Sequence, residues 1–385
     1  MHSTYCRNLL RPVVLKNAKC CEKVRFRSSL PRSNATYPTL ASFSEADTEE
    51  FMSHFPTIVS DLSTSMNLEN MKQATDRFAL CMRNNVPNGK KVRGLTTVIT
   101  YKLLEKPENL TPDNIRLANI LGWFIELIEA AVVIFDDLMD NSSTRRGGLC
   151  WHRQKDVGVL AIADGLNLNS GAYLLLEKYF GNHPHFADMS CFSQRVMYNT
   201  AIGQVIDSMR HAPETISLDK FKAIAKYKTG YYTFYFSVGL GMYLSRQFNK
   251  DVLENQIAPL LFDMGEYFQI KNDINDCFVK EDVAGKTGTD IEESKCTWLA
   301  VKALEKGNEA QKALFRENYG KSDAKSVESI RNLYRELKLQ EEFDEYEADF
   351  FKSLRKRSLS IESPYSNVAM VLIEKLQHQV YKTVV

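Results

Sequence analysis

Along most of the chain, apolar residues recur at three- and four-residue spacing, and short breaks rich in Pro, Gly and Asn separate these stretches. That period predicts helices. No run of strand-like alternation bounded by hairpin turns competes with it, and no repeat of fixed length appears. Thr111-Pro112-Asp113 offers an N-cap, a proline at the first helical position and an early acid, which predicts a helix from there to about Asp140. Its apolar positions fill more than one stripe, so it belongs inside a bundle. Three more central helices are expected. One carries Gly203-Gln204-Val205-Ile206-Asp207. One begins near Ser217 and includes Lys228-Thr229-Gly230, with a kink at Gly230. One is started or bent by Pro259 and runs through Met264 to Asp276. The pattern predicts an all-α fold, one domain over residues 43–385. Glu341 to Arg357, acids first and bases after, reads as a solvated helical face.

Composition narrows the partners. A net charge of +1, with 44% hydrophobic and 25% charged residues, describes an ordinary globular chain and implies neither a nucleic acid nor an acidic membrane surface. The eight cysteines show no C-x-x-C pair and read as thiols in a reducing compartment. The most apolar stretch, Ile115 to Phe135, holds Arg116, Asn119, Glu126 and Glu129, so a buried core helix is expected there and no membrane span. The start differs. Arg7, Arg11, Lys16, Lys19, Lys23, Arg25, Arg27 and Arg32 face a single acid, Glu22, which predicts a mitochondrial transit peptide over residues 1–42.

Chemistry gathers at two helix ends. In Asp136-Asp137-Leu138-Met139-Asp140 the three carboxylates share one helical face and repel one another unless a cation intervenes. Hard oxygen ligands suit magnesium, which bridges carboxylates to phosphate oxygens. Arg145 and Arg146 follow with forked donors for phosphate. Asn272-Asp273-Ile274-Asn275-Asp276 ends another apolar helix in the same way. Two acidic sets with bases around them form a diphosphate clamp, able to polarise an allylic C–O bond until it breaks.

Further motifs stand in order: Asn88-Gly89-Lys90-Lys91-Val92-Arg93-Gly94, Thr144-Arg145-Arg146-Gly147, Lys226-Tyr227-Lys228-Thr229, Gly265-Glu266-Tyr267-Phe268-Gln269, and Gly285-Lys286-Thr287-Gly288-Thr289-Asp290-Ile291 with Lys295-Cys296-Thr297-Trp298. From about Phe43 onward the chain resembles the trans-isoprenyl diphosphate synthases, the animal farnesyl diphosphate synthases in particular. The resemblance implies a single large isoprenoid-synthase bundle around a central cavity, a homodimer, and a small-molecule prenyl diphosphate substrate. It also implies magnesium, three ions with the bound diphosphate, for which manganese would substitute. Carried over by position, Asp136, Asp140 and Asp273 would hold metal, with Asp137 and Asp276 supporting them and the amide oxygen of Asn272 still able to coordinate. Arg145, Lys228 and Lys286 would bind the allylic diphosphate, with Gln204 also on the substrate side. Thr229 and Gln269 would steady an allylic cation, and Lys90, Arg93 and Arg146 would hold isopentenyl diphosphate.

The sequence departs from the family at a few places. Glu129 replaces a glutamine that helps hold isopentenyl diphosphate, and its charge is expected to repel that group. Asn272 replaces the first Asp of the second motif and removes one charge near the metals. Tyr381-Lys382-Thr383-Val384-Val385 retains a single base where the family has a basic tail. Val132 and Ala131 stand where short-chain members carry aromatic residues, so a deeper cavity is expected. Phe135 is larger than the usual residue, and its ring is a candidate cation stabiliser. Because these changes fall on the second-substrate side or on the metal charge, the expected activity is that of a terpene synthase. It would ionise a farnesyl diphosphate isomer or geranyl diphosphate and release a hydrocarbon or alcohol. The alternative is a chain-elongating synthase that condenses isopentenyl diphosphate with an allylic diphosphate. A third reading, a catalytically silent subunit, sits poorly with the intact Asp136, Asp137 and Asp140.

Overall fold

The computed structural model describes residues 44–64, 70–279 and 284–381. The expected transit peptide and the residues from Lys382 onward lie outside that range. The described chain is helical almost throughout, as the periodicity predicts. The helices are α1 (Glu45–Ser53), α2 (Phe55–Thr64), α3 (Lys72–Asn85), α4 (Val92–Leu104), α5 (Pro112–Met139), α6 (Ala161–Phe180), α7 (Phe186–Ser208), α8 (Leu218–Ile224), α9 (Phe236–Leu244) and α10 (Ala258–Phe278). After them come α11 (Trp298–Lys306), α12 (Glu309–Asn318), α13 (Ala324–Glu336), α14 (Leu339–Ser358) and α15 (Tyr365–Tyr381). A small antiparallel hairpin, β1 (Thr144–Arg145) and β2 (Gly148–Leu149), follows α5.

The start of α5 is the one the sequence signals: Asn114 N–H donates to Thr111 Oγ1 at 3.3 Å, with Pro112 in the first turn. The helix is buried without a break from Ala118 to Ala131. It packs against α4 and α6 and touches α9. Trp123 shows how the core is tied. Its ring stacks on Phe51 at 4.5 Å, and its Nε1 donates to the Phe51 carbonyl at 2.8 Å, so a large apolar surface is buried with its one polar atom satisfied. Pro112–Met139 is long and apolar enough to cross a bilayer, but 83% of its most apolar window is buried by the rest of the protein. It is a core helix. Gly158–Phe180 is also long and apolar, and just under half of its most apolar stretch is buried by the rest of the protein.

Between α8 and α9 the structure departs from expectation. In place of a kink at Gly230, Ala225–Tyr235 is wound as a π-helix, continuous with the α-helices on either side. A π-helical turn is costly and concentrates at functional sites. Here the glycines permit it. A Cβ on Gly203 of α7 would lie 2.3 Å from the Lys228 nitrogen, and one on Gly265 of α10 would lie 2.4 Å from the Gly230 Cα. The segment is thus gripped backbone to backbone from both sides, and the wide turn brings Ile224, Lys228, Thr229 and Tyr232 to one cleft. Gly265→Ala must push α10 off the π segment, with an expected loss of about 1–3 kcal/mol. Chemical denaturation of the variant against the parent protein reads this directly, and an unchanged midpoint would contradict the close packing.

Candidate active site

Four positions of α5, Glu126, Glu129, Val133 and Asp136, with its C-cap Asp140, follow a three-four spacing and form one stripe that runs from the core to the helix end. Each acid on it meets a cation from another element. Lys91 Nζ lies 2.9 Å from Glu126 Oε2, and the Gly94 N–H donates to Glu126 Oε1 at 2.9 Å. Arg93 Nη1 lies 2.8 Å from Glu129 Oε2. Asp136 accepts from Gln204 Nε2 at 2.8 Å, Lys228 Nζ at 3.1 Å and Arg145 Nη2 at 3.2 Å. Lys295 Nζ donates to Asp140 Oδ1 at 2.8 Å. Lys228 also bonds Asp207, which in turn lies 3.5 Å from Lys295.

These contacts set protonation. Burial would raise the Asp136 pKa, but the charges of Lys228 and Arg145 and the Gln204 hydrogen bond overcome it and hold the carboxyl well below the usual range. Asp207 is lowered the same way, burial being outweighed by Lys228 and Lys295. Asp140 moves up, because burial and the Asp136 charge together exceed what Lys295 offsets.

The facing wall comes from α10. Thr229 Oγ1 donates to Gln269 Oε1 at 2.7 Å, Gln269 Nε2 donates to Asp273 Oδ1 at 3.0 Å, and the Trp298 N–H donates to Asp273 Oδ2 at 2.8 Å. Burial pushes the Asp273 pKa up to about 7. Asp276 accepts from the Asp290 N–H at 3.1 Å and lies 3.1 Å from Lys286 Nζ. The hairpin is fastened to the Lys286 loop: the Gly147 N–H donates to the Gly285 carbonyl at 2.9 Å, and the Thr287 N–H donates to Thr144 Oγ1 at 3.1 Å. Arg145 and Lys286 therefore enter the cleft from adjoining, hydrogen-bonded loops.

The walls enclose a cleft of about 270 Å³ that gathers Asp136, Asp140, Arg145, Lys228, Thr229, Gln269, Asn272, Asp273, Lys286, Arg93 and Glu129. Other expected site residues lie behind it. Asp137 is buried and takes the fork of Arg145, whose Nε donates at 2.8 Å, so it orients that arginine. Gln204, expected on the substrate side, spends its amide on Asp136 and is a positioning residue instead. Asp276 stands behind Lys286. Lys90 is exposed, and Arg146 lies along the same loop: a Cβ on Gly89 would be 3.0 Å from its Cζ.

Three expectations are corrected. Ala131 and Val132 do not line the cleft and so do not deepen it; Val133 occupies the cleft-facing position because the stripe runs through it. Phe135 does not face the cleft either. It packs on α6, where a Cβ on Gly165 would lie 2.6 Å from its ring, while Tyr232 and Phe268 are the aromatic residues at the cleft. Glu129 is not a bare charge turned on an incoming anion, for Arg93 meets it.

Asp207, Asp290 and Lys295 join the cleft although the sequence reading gave them no role. Asp207 sits one helical turn beyond Gly203. Lys295 lies two residues before Thr297, which caps α11 by accepting from the Ala300 N–H at 3.1 Å. Each stood in a quoted motif, and that position was the available signal.

Among the described residues no three His, Cys, Asp or Glu side chains converge on one point as a ready metal cage. The donors fit magnesium in another way. Asp136, Asp140 and the amide of Asn272 are hard oxygens on facing walls, suited to an ion that keeps waters and completes its shell with phosphate oxygens, whereas Asp273, expected as a ligand, has one oxygen taken by the Gln269 amide and the other by the Trp298 N–H.

The polyprenyl synthetase family profile matches residues 75–337. The farnesyl pyrophosphate synthase 1 of Cannabis sativa is 41% identical over 302 residues, 77% of this chain and 87% of its own. The Gallus gallus farnesyl pyrophosphate synthase is 35% identical over 344 residues, 88% of this chain and 93% of its own. Among solved structures, a T. brucei farnesyl diphosphate synthase bound to a bisphosphonate has a TM-score of 0.80 at 32% identity, covering 87% of this chain and 98% of that one. These matches overturn the terpene synthase expectation. The relatives that align along nearly their whole length are named as synthases of a prenyl diphosphate.

Gln204→Leu removes one donor from ionised Asp136. A hydrogen bond to a charged group contributes about 1.5–3 kcal/mol, so kcat/KM should fall roughly tenfold or more. Steady-state kinetics at saturating magnesium measure it, and unaltered kcat/KM would remove Gln204 from the positioning role.

Proposed function

The chain belongs to the polyprenyl synthetase family, the trans-isoprenyl diphosphate synthases, and is a magnesium-dependent enzyme of that family; from that premise we propose that it elongates prenyl chains, condensing isopentenyl diphosphate with an allylic diphosphate as a farnesyl diphosphate synthase does. One observation carries the reading: the bases form two groups. Arg145, Lys228 and Lys286 lie among the acids of α5 and α10. Arg93 and Arg146 converge on Glu129, with Lys90 in the adjoining loop. Two groups of bases suit two diphosphates.

In this reading Lys228, Lys286 and Arg145 exchange their carboxylate partners for oxygens of the allylic diphosphate. Magnesium, three ions with bound substrate or manganese in its place, supplies the positive charge that makes the diphosphate a better leaving group. Asp136 and Asp140 on one wall, with Asn272 on the other, would hold it. Thr229 and Gln269 turn oxygen dipoles toward the carbon that becomes electron-poor as its C–O bond lengthens. Gln269 is kept in that orientation by donating to Asp273. Lys90, Arg93 and Arg146 place isopentenyl diphosphate so that its double bond closes on that carbon and a proton is lost.

Two further features support an assembly and an address. Helix α7 exposes Tyr198, Ile202 and Val205 along one stripe, Met209 is exposed just past its end, and α6, which packs on it, exposes Ile162 and Leu166. An apolar surface of this kind marks a protein contact, and it supports a homodimer. The Arg-rich, acid-poor composition of residues 1–42 supports a mitochondrial destination.

With magnesium, geranyl or dimethylallyl diphosphate and isopentenyl diphosphate, the expected products are prenyl diphosphates one isoprene unit longer, formed only when both substrates are present. Asp136→Ala should cut turnover by about 10³-fold or more. Liquid chromatography with mass detection follows the products. Consumption of the allylic substrate at the same rate without isopentenyl diphosphate would overturn the assignment. For the dimer, light scattering should give twice the 44.0 kDa chain mass, and Val205→Asp should shift it toward one chain. A parent protein that runs as a monomer at micromolar concentration would exclude this face as a stable interface.

A further inference from the structure

Two buried acid–base pairs lie one turn apart on α5 and behave differently. Glu126 and Lys91 are both buried, and their polar atoms are engaged: Glu126 accepts from Lys91 Nζ and the Gly94 N–H, while Lys91 also donates to the Val86 carbonyl at 2.6 Å. That pair lies off the cleft and fastens the start of α4 to the core. Glu129 and Arg93 line the cleft itself. Their closest atoms are 2.8 Å apart, yet Glu129 Oε2 and Arg93 Nε are buried without a directed hydrogen bond. Arg93 is otherwise held by Thr233 Oγ1, 2.9 Å from its Nη2, and by the Tyr232 ring, 4.1 Å from its Cζ. Arg146 Nη2 stands 3.9 Å from Glu129 Oε1.

A guanidinium presents five donors in a planar fork suited to phosphate. Arg93 has such capacity unspent, and the group that cancels its charge is Glu129. We infer that Glu129 is a specificity-determining residue that holds Arg93 in reserve, so that the diphosphate of isopentenyl diphosphate engages Arg93 only by displacing the Glu129 carboxylate. This rests on the chain-elongation reading. It makes the second-substrate subsite selectively weak and leaves the allylic subsite, whose bases answer to other acids, untouched. Burial strengthens the effect, since charges that share a low-dielectric space are poorly screened.

The test is calorimetric titration of isopentenyl diphosphate into the full chain, with magnesium present and the allylic site filled by geranyl S-thiolodiphosphate, which does not ionise. Glu129→Gln should bind isopentenyl diphosphate at least about tenfold more tightly, with affinity for the thiolodiphosphate unchanged within about twofold. In an Arg93→Gln background the same change should give no gain, because the group held in reserve is absent. Glu129→Met, neutral and of similar length, carries the same expectation should the amide variant fail to fold. Equal or weaker binding by a folded neutral variant, or a gain that persists without Arg93, would overturn the inference. If the neutral variant binds more tightly but neither protein lengthens an allylic substrate, the inference stands and the elongation reading falls.

Discussion

A stripe of carboxylates begins inside the hydrophobic core, and the neutralisation of that stripe organises the rest of the molecule. Helix α5 is apolar enough to be the centre of the bundle, yet it carries Glu126 and Glu129 within its buried stretch and Asp136 and Asp140 at its end. A buried charge left without a partner costs several kcal/mol. Each acid therefore constrains where another element must lie: the start of α4 for Lys91 and Arg93, the hairpin for Arg145, the π segment for Lys228, and the approach to α11 for Lys295. The bundle converges on α5 because its charges have to be met there.

The same pairing gives the cleft its chemistry. Acids suited to metal and bases suited to phosphate hold one another at hydrogen-bond distance, and their opposing influences fix which groups stay ionised. Asp136 remains charged because cations outweigh burial; Asp273, whose contacts are a neutral amide and a backbone N–H, does not enjoy that protection. In the proposed function, binding a magnesium diphosphate would be an exchange of partners between groups already in place, which spares the cost of ordering them at the moment of binding.

Much of this was legible along the chain. The cap at Thr111, the apolar length of α5 and the two acidic helix ends follow from local spacing, and local spacing is what a sequence displays. What escaped depended on neighbours. Gly230 looked like a kink, and the π-helix in its place requires Gly203 and Gly265 on two other helices. Phe135 looked like a cavity residue, but the phase of the α5 stripe gives that place to Val133 and sends the ring to Gly165. At Glu129 local sequence displays only the sign of a charge. Its partner, Arg93, is thirty-six positions earlier, and only folding brings them together. The terpene synthase expectation falls to the relatives: chains that match this one along most of their length are named as synthases of a prenyl diphosphate.

The backbone grip on the π segment bears on how such a protein can diversify. At Gly203 and Gly265 even a methyl group would meet backbone at 2.3 and 2.4 Å, so a side chain there displaces a whole helix. Glu129, Val133 and Asn272 instead border open cleft, where a changed side chain alters the space offered to a ligand while the main chain presenting Lys228 and Thr229 stays in place.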